Sequence, residues 1–420
     1  MIAVAALAAC ASSAPKVRNV TTPAEVKASG VARADPGSLS TAALVEGINT
    51  FGHDLYAQAA LRGGNVVVSP LSIEVAMSMA RAGAGGTTAA EIDAAMHFPS
   101  VGRDAQMNAL TRALSTQDTA PPVPSPGASR DPNAPPAAPI LTIANGLFAQ
   151  QGQPIGADFL NTIAADYNSG VRTVDFASPS AMEQINAWVR AQTANRIQQL
   201  FDSLDSSTKL VLANAVYLKA DWATPFAQQP TTDATFTTAA GKQLTVPTMN
   251  QSGSLGYASS DTWQAVALPY AGGTLTMYVI VPAANIPLAD LLAPATLAQI
   301  SGGLRPTSVS LALPRWNSTT QLDLTSVLKT LGIHTAFTGA ADFAAIAPHL
   351  FISQAIHRAT ITVDEWGTEA AAVTGLAFAV SSMVAPQLTV RADHPFAYAI
   401  VNPQTGAVVF EGSVNDPTAG

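Results

Sequence analysis

Three stretches in the first half of the chain repeat apolar residues at helical spacing, at 41 to 61, 70 to 82 and 182 to 201. Strand-length apolar runs follow at 209 to 219, 264 to 268, 274 to 281 and 308 to 313, and many of the later ones are spaced as hairpins. Helices that lead and strands that follow predict an α+β domain rather than a βαβ repeat.

The segment VDEWGTEAAAVTGLAFAVSSM, Val363 to Met383, stands apart from this pattern. It joins a charged turn to a small-residue run and then to an apolar stretch of strand length. Thr368 to Ser381 contains no Pro and a single charge, Glu369, so nothing in it blocks pairing on both edges. Alternation puts Thr368, Ala370, Ala372, Thr374, Leu376 and Phe378 on one face, and Glu369, Ala371, Val373, Gly375, Ala377 and Ala379 on the other. A face that is first small and then apolar suits a segment that slides between two strands and buries one side. Taken alone, the composition fits an Ala-rich helix end or a surface linker equally well.

Apolar residues at 48% supply a large core, and 11% charged residues are too few for a disordered chain. A length of 420 residues would allow two or three domains, yet no boundary divides 39 to 420, which reads as one domain. A net charge of −8 without a Lys/Arg cluster argues against nucleic acid or an anionic membrane surface as partner. The only cysteine, Cys10, lies outside that domain, so no disulfide staples it. It closes a short apolar start, MIAVAALAA, and so resembles the lipobox of bacterial lipoprotein signal peptides, in which the Cys is lipidated. On that reading residues 1 to 10 are a signal segment and 11 to 38 a flexible tether. The protein is then exported to the cell envelope, periplasmic or at the cell surface, or secreted, with lipidated Cys10 as its only membrane attachment. No other stretch reaches the ~18 apolar residues of a membrane span. Residues 118 to 139 hold eight prolines in 22 positions, too many for a helix or a central strand, and read as a surface insertion ahead of ILTIANGLF.

Catalytic signatures fail. Gly83-Ala84-Gly85-Gly86-Thr87-Thr88 follows a helical pattern and lacks the Gly-Lys-Ser/Thr ending of a phosphate loop, so it reads as a turn. The chain has no Gly-x-Ser-x-Gly elbow, no His-Glu-x-x-His and no Cys/His cluster, and its six histidines are scattered. The expectation is a protein that is not an enzyme and uses no metal and no cofactor.

ATITVDEWGTEAAAVTG resembles the hinge of the serpin family, where a strand ending in Asp-Glu passes through Gly-Thr-Glu-Ala-Ala-Ala into an exposed reactive loop. Glu365, Gly367, Thr368, Glu369, Ala370, Ala371 and Ala372 match that pattern, while Trp366 stands where the family usually carries a charge. NVVVSPLSIEVAMSMARAGAGGTTAAEI (65 to 92) looks like the family's buried helix and the turn after it. ILTIANGLFAQ, INAWVRAQTANRIQQLF, LVLANAVYLKADWATPF, LPYAGGTLTMYVIVP, LDLTSVLKTLGIHTAFTGAADFAAI and HPFAYAIVNPQTGAVVFEGSVNDP then follow in family order, so the resemblance covers most of the chain.

It implies the serpin fold, helices packed on large mixed or antiparallel sheets, and an inhibitor of serine or cysteine proteases that acts as a monomer and a suicide substrate. The cut loop would insert as a sheet strand and trap the acyl-enzyme, so the uncut chain would be metastable. Sixteen residues after Glu365 comes the bond between Ser381 and Ser382, and counting back from His394-Pro395-Phe396 gives the same bond. The bonds after Val380 and Met383 are the alternatives. Phe378, Ala379, Val380 and Ser381 offer no Arg or Lys, which disfavours trypsin-like targets and suits elastase-like or subtilisin-like ones. The resemblance also places His357 beside Ser69, Ser72 and Asn214 in a buried shutter, bonded to Ser72 and Asn214, and Trp222 near the top of the opening. The rival class is a serpin-fold protein that does not inhibit, serving as a carrier, a chaperone or a plain protease substrate.

Overall fold

The computed structural model describes residues 22–114, 135–205, 207–226, 231–368 and 388–419. In chain order these form β1 (Ala24–Val26), α1 (Ala42–Ala60), β2 (Val66–Val68), α2 (Pro70–Ala82), α3 (Gly86–Ala95) and α4 (Arg103–Ala113). Then come β3 (Ile140–Gln150), α5 (Ala157–Tyr167), β4 (Val171–Val174), α6 (Ala181–Gln192) and β5 (Leu210–Asp221). The middle of the chain gives β6 (Thr232–Thr237), β7 (Gln243–Ser259), β8 (Trp263–Pro269), β9 (Thr276–Pro282), α7 (Leu288–Leu291) and α8 (Pro294–Gly303). The rest is β10 (Arg305–Pro314), β11 (Trp316–Asp323), α9 (Leu324–Thr330), β12 (Ile352–Asp364), β13 (Gly367–Thr368), β14 (Leu388–Arg391), β15 (Phe396–Val401) and β16 (Val408–Val414).

The α+β expectation holds. Seven strands form one sheet in the order β1-β4-β3-β5-β13-β12-β11, and a second sheet runs β14-β10-β7-β8-β9-β15-β16-β2, with β6 on β7. The first sheet is mixed, because β3 pairs β4 in parallel and β5 pairs β12 in parallel. Alternation along β5 divides its residues between two cores. Leu212, Val216 and Leu218 join the main core, and Val211, Ala213 and Ala215 face a second cluster under α6 built on Phe148 and Trp188. Helix α2 runs through the main core, buried at every position from Pro70 to Ala80. Ser69 caps it, its Oγ accepting the N–H of Ser72 at 3.3 Å, and Pro70 occupies the first turn, where a missing N–H costs nothing.

Two expectations change. The helix read over 182 to 201 ends at Gln192, because Ala194 and Asn195 turn to φ of 48° and 63°. The later apolar residues are docked instead by Asn186, whose Oδ1 accepts the N–H groups of Leu200 and Phe201 at 2.9 and 3.0 Å. A flexible tether over 11 to 38 does not describe 22 to 38, since β1 pairs antiparallel with β4 and Ala34 N–H donates to Ala165 O at 2.7 Å. The Pro-rich segment is described only from residue 135, where Ala137 N–H is held by Asp221 Oδ2 at 2.7 Å. Among the described residues no helix is long and apolar enough to cross a membrane.

Candidate functional site: a partly opened sheet

The seam between β5 and β12 has three parts. Its lower rows pair directly, Leu210–Ala215 against Ile352–Arg358. At its upper end β13 sits between the strands and runs antiparallel to both, with Thr368 opposite Ala220 and Val363, and Gly367 opposite Asp221 and Asp364. Between them, residues 216–219 and 359–362 are four rows that no described strand fills. A cavity of about 160 Å³ lies there, lined by Val216, Tyr217, Leu218, Thr360 and Thr362, with Arg196 and Ile197 from the segment after α6.

The wedge is held by a turn and an aromatic pair. Asp364 Oδ1 accepts the N–H of Trp366 at 2.8 Å, and Trp366 O in turn accepts the N–H of Trp222 at 2.8 Å. Gly367 has φ of 153°, and a Cβ there would lie 2.0 Å from Ala220 O, so only glycine passes so close to β5. The Trp222 ring stacks on Tyr270 at 4.5 Å and donates from Nε1 to Asp364 O at 2.9 Å. The Tyr270 hydroxyl lies 2.6 Å from Thr368 Oγ1, and both residues are buried. Burial pushes the Tyr270 phenol far up, so it keeps its proton. Thr368 therefore faces the main core, the face that alternation assigned to it.

Beside the wedge, Glu365 is buried, and its carboxylate accepts from Arg315 Nε at 2.9 Å, from the same guanidinium's Nη2 and from Thr231 Oγ1. Asp364 is less well supplied. Burial raises its carboxyl to about 6, with the Glu365 charge adding to the rise and the N–H groups of Trp366 and Gly367 opposing it.

The lower rows are closed by a buried polar cluster. Asn214 Nδ2 reaches Ser72 O at 2.7 Å, Ser72 Oγ at 2.8 Å and Asn145 Oδ1 at 2.5 Å, and Asn145 Nδ2 donates to Ser72 O at 3.0 Å. Ser69 Oγ donates to Val409 O at 2.7 Å. His357 Nε2 accepts the backbone N–H of Ser69 at 3.3 Å, which puts the ring proton on Nδ1, from where it is donated to Asn214 Oδ1. Burial lowers His357 to about 3, so the ring is neutral, the state that this pair of bonds requires.

The structure thus brings together His357, Asn214, Ser69 and Ser72, but it corrects one bond. His357 reaches Ser72 only through Asn214, because Ser72 lies on the far side of the amide and the backbone of Ser69 takes the second ring nitrogen. Asn145, Tyr270 and Arg315 belong to the site and were given no role by the sequence reading. Asn145 carried a usable signal, a lone amide in an apolar strand in the same way as Asn214. Glu369, Ala370, Ala371, Ala372, Phe378, Ala379, Val380, Ser381, Ser382, Met383 and Cys10 lie outside the described residues. Among the described residues no cluster of His, Cys, Asp or Glu could hold a metal ion.

Two sheets, helices packed on them and a short strand set between the upper ends of two parallel neighbours define the class of fold. The comparisons identify it. The family model described as Serpin (serine protease inhibitor) matches residues 46–417. The chain is 33% identical over 386 residues to an uncharacterized serpin-like protein of Thermococcus kodakarensis, covering 90% of this chain and 86% of that one. It is also 33% identical over 371 residues to the leukocyte elastase inhibitor of Bos taurus, covering 84% and 93%. Native protease nexin-1 with heparin superposes with a TM-score of 0.75 at 28% identity, over 90% of this chain and 100% of that one. The thermophilic serpin tengpin in its native state shares the fold, with a TM-score of 0.80 at 24% identity over 94% and 100%. The chain belongs to the serpin family, a family of protease inhibitors and not of enzymes.

Proposed function

We propose that this serpin inhibits elastase-like or subtilisin-like serine proteases as a suicide substrate, with Ser381–Ser382 as the reactive bond. The observation that carries the reading is the wedge. Gly367 and Thr368 already occupy the register of an inserted strand, and no described strand fills the rows below them. Continuing that register sets Glu369 beside Lys219 and Thr362, Ala370 beside Leu218 and Ile361, Ala371 beside Tyr217 and Thr360, and Ala372 beside Val216 and Ala359. The four open rows therefore correspond to Glu-Ala-Ala-Ala. The alanines on the core side meet buried Leu218, Ile361, Val216 and Ala359, where a longer side chain would collide. Val373 is the first residue whose entry must break an existing rung, Arg358 with Ala215.

In the reaction the protease serine Oγ attacks the Ser381 carbonyl, the bond to Ser382 breaks, and the Ser382 amine leaves with the proton that the protease supplies. The ester remains on Ser381. Insertion from Thr368 onward then carries it roughly 45 Å at ~3.3 Å per residue. About ten new ladder bonds at ~0.5 to 1.5 kcal/mol each release on the order of 10 kcal/mol, comparable with the stability of a protease domain. The target class rests on the lack of Arg or Lys from Phe378 to Ser381 and on the kinship with an elastase inhibitor.

Incubation with elastase, subtilisin and trypsin, followed by denaturing electrophoresis and mass analysis, tests the reading. The expected products are a covalent complex with elastase or subtilisin and a released peptide beginning at Ser382. Cleavage of the loop by every protease tried, with no complex and no rise in thermal stability, refutes inhibition and leaves the chain a plain substrate or carrier.

A further inference from the structure

The first described residues take a path that the inhibitory reading does not use. β1 adds a short strand to the outer edge of the seven-stranded sheet, beyond β4. Glu25 pairs with Arg172 at 3.4 Å, and Lys27 Nζ donates to Asn168 O, at the end of α5, at 3.0 Å. The loop between α5 and β4 is shaped for this contact, since a Cβ on Gly170 would lie 2.4 Å from Val26 O. Further on, Arg33 grips α4, with Nε donating to Asn108 Oδ1 at 2.8 Å and Nη2 to Thr111 Oγ1 at 2.6 Å. Asn108 Nδ2 returns a bond to Ala34 O at 2.9 Å, while Ala34 N–H reaches α5 at Ala165 O at 2.7 Å. Asn108 and Thr111 are buried and Arg33 and Ala34 half-buried, so these bonds are partly shielded from water.

After residue 34 the chain enters α1, whose Leu44, Ile48, Phe51 and Leu55 are sunk in the main core and which packs on α2, β2 and β16. β2 in turn touches β11 and β12. The N-terminal segment therefore joins the outer edge of one flank of the seam, β1-β4-β3-β5, to the body that carries the other flank, β12-β11. Parting β5 from β12 by one strand spacing, ~4.8 Å, lengthens this circuit. The pins at Lys27, Arg33 and Ala34 remove the slack that the intervening residues would otherwise supply.

We propose that residues 24–34 are a strap that holds the sheet closed and sets the rate at which the lower β5–β12 rows part. The proposal rests on the insertion reading for its biological sense, but its test does not need insertion. Amide hydrogen exchange by mass spectrometry would be followed in the uncut full chain, in Arg33→Ala, and in a chain lacking residues 22–31. Exchange within 210–215 and 352–358 is expected to accelerate at least ~10-fold in both variants, with β15 and β16 unchanged. Seam exchange within about twofold of the parent in both variants overturns the strap. Equal acceleration throughout the molecule also overturns it, because it would mark the segment as a general stabiliser. Heat resistance after loop cleavage is measured in parallel on the parent chain. If none is gained, the insertion reading fails, while the exchange result still decides the strap.

Discussion

Along β5 and β12, the rows at 210–215 and 352–358 are joined to each other and tied by His357 and Asn214, whereas the upper rows are held apart by Gly367 and Thr368. The same two strands thus meet in two states. On the proposed insertion, filling the upper rows forms ladder bonds without breaking any between described residues, so the first four loop residues can enter downhill. From Ala215 down, each new row must first break a rung that exists, and the shutter must also release His357 and Asn214, where a buried polar group left unpaired costs about 1 to 3 kcal/mol. The barrier to expansion accordingly lies in the lower rows, and the upper rows determine whether the loop is aimed at them.

The sharpest way to break this comparison is to put a charge into the wedge. Thr368→Arg places a guanidinium where Thr368 is 2% exposed and hydrogen-bonded to Tyr270. An unpaired buried charge costs several kcal/mol, so the hinge should leave the sheet and stay out. The expected outcome is cleavage by target proteases with no covalent complex, and an unchanged far-ultraviolet circular dichroism spectrum. Inhibition equal to the parent would show that the wedge takes no part.

The two ends of the seam also respond to acid in opposite senses. His357, lowered to about 3 by burial, binds fewer protons in the native state than in the unfolded one. Its contribution is complete above 6.5 and is lost as pH falls from there toward 3, at up to about 1.4 kcal/mol per unit. Asp364, raised to about 6, has the opposite sign, because its contribution is complete below 3.8 and is lost as pH rises through 6. Acid therefore steadies the turn that carries the wedge while loosening the shutter below. The stability deficit of His357→Gln relative to the parent, read from urea midpoints, should shrink by about 2 kcal/mol between pH 7.5 and pH 5. A deficit that stays constant over this range would mean that His357 is not the titrating lock.

How far the sequence reached follows the same division. The orientation of Thr368 was legible because alternation along one strand is a local property, and the meeting of Ser69, Ser72, Asn214 and His357 was legible because they sit in long motifs. The partner of His357 was not. Which hydroxyl or amide meets the ring depends on how α2 lies across β5 and β12, three segments far apart in the chain, and the fold interposes Asn214 between His357 and Ser72. Tyr270 and Arg315 were missed for the same reason, since nothing near LPY or LPRW indicates that they meet Thr368 and Glu365. Residues 22–38 misled through composition. Small and polar residues suit a tether, yet three backbone rungs and one arginine suffice to dock them.

The smallest expected effect isolates a single bond of the wedge. Tyr270→Phe keeps the ring that stacks on Trp222 and removes only the hydroxyl 2.6 Å from Thr368 Oγ1. The Thr368 hydroxyl would then be buried without that partner, and the wedge should weaken by about 1 kcal/mol. Because the lower rows are untouched, exchange of 210–215 and 352–358 should stay as in the parent, while the amides around Ala220 and Val363 exchange about fivefold faster, the factor that corresponds to that energy. A change at the lower rows as large as that at the upper ones would show that the wedge and the shutter open as one unit, and that the seam has one state rather than two.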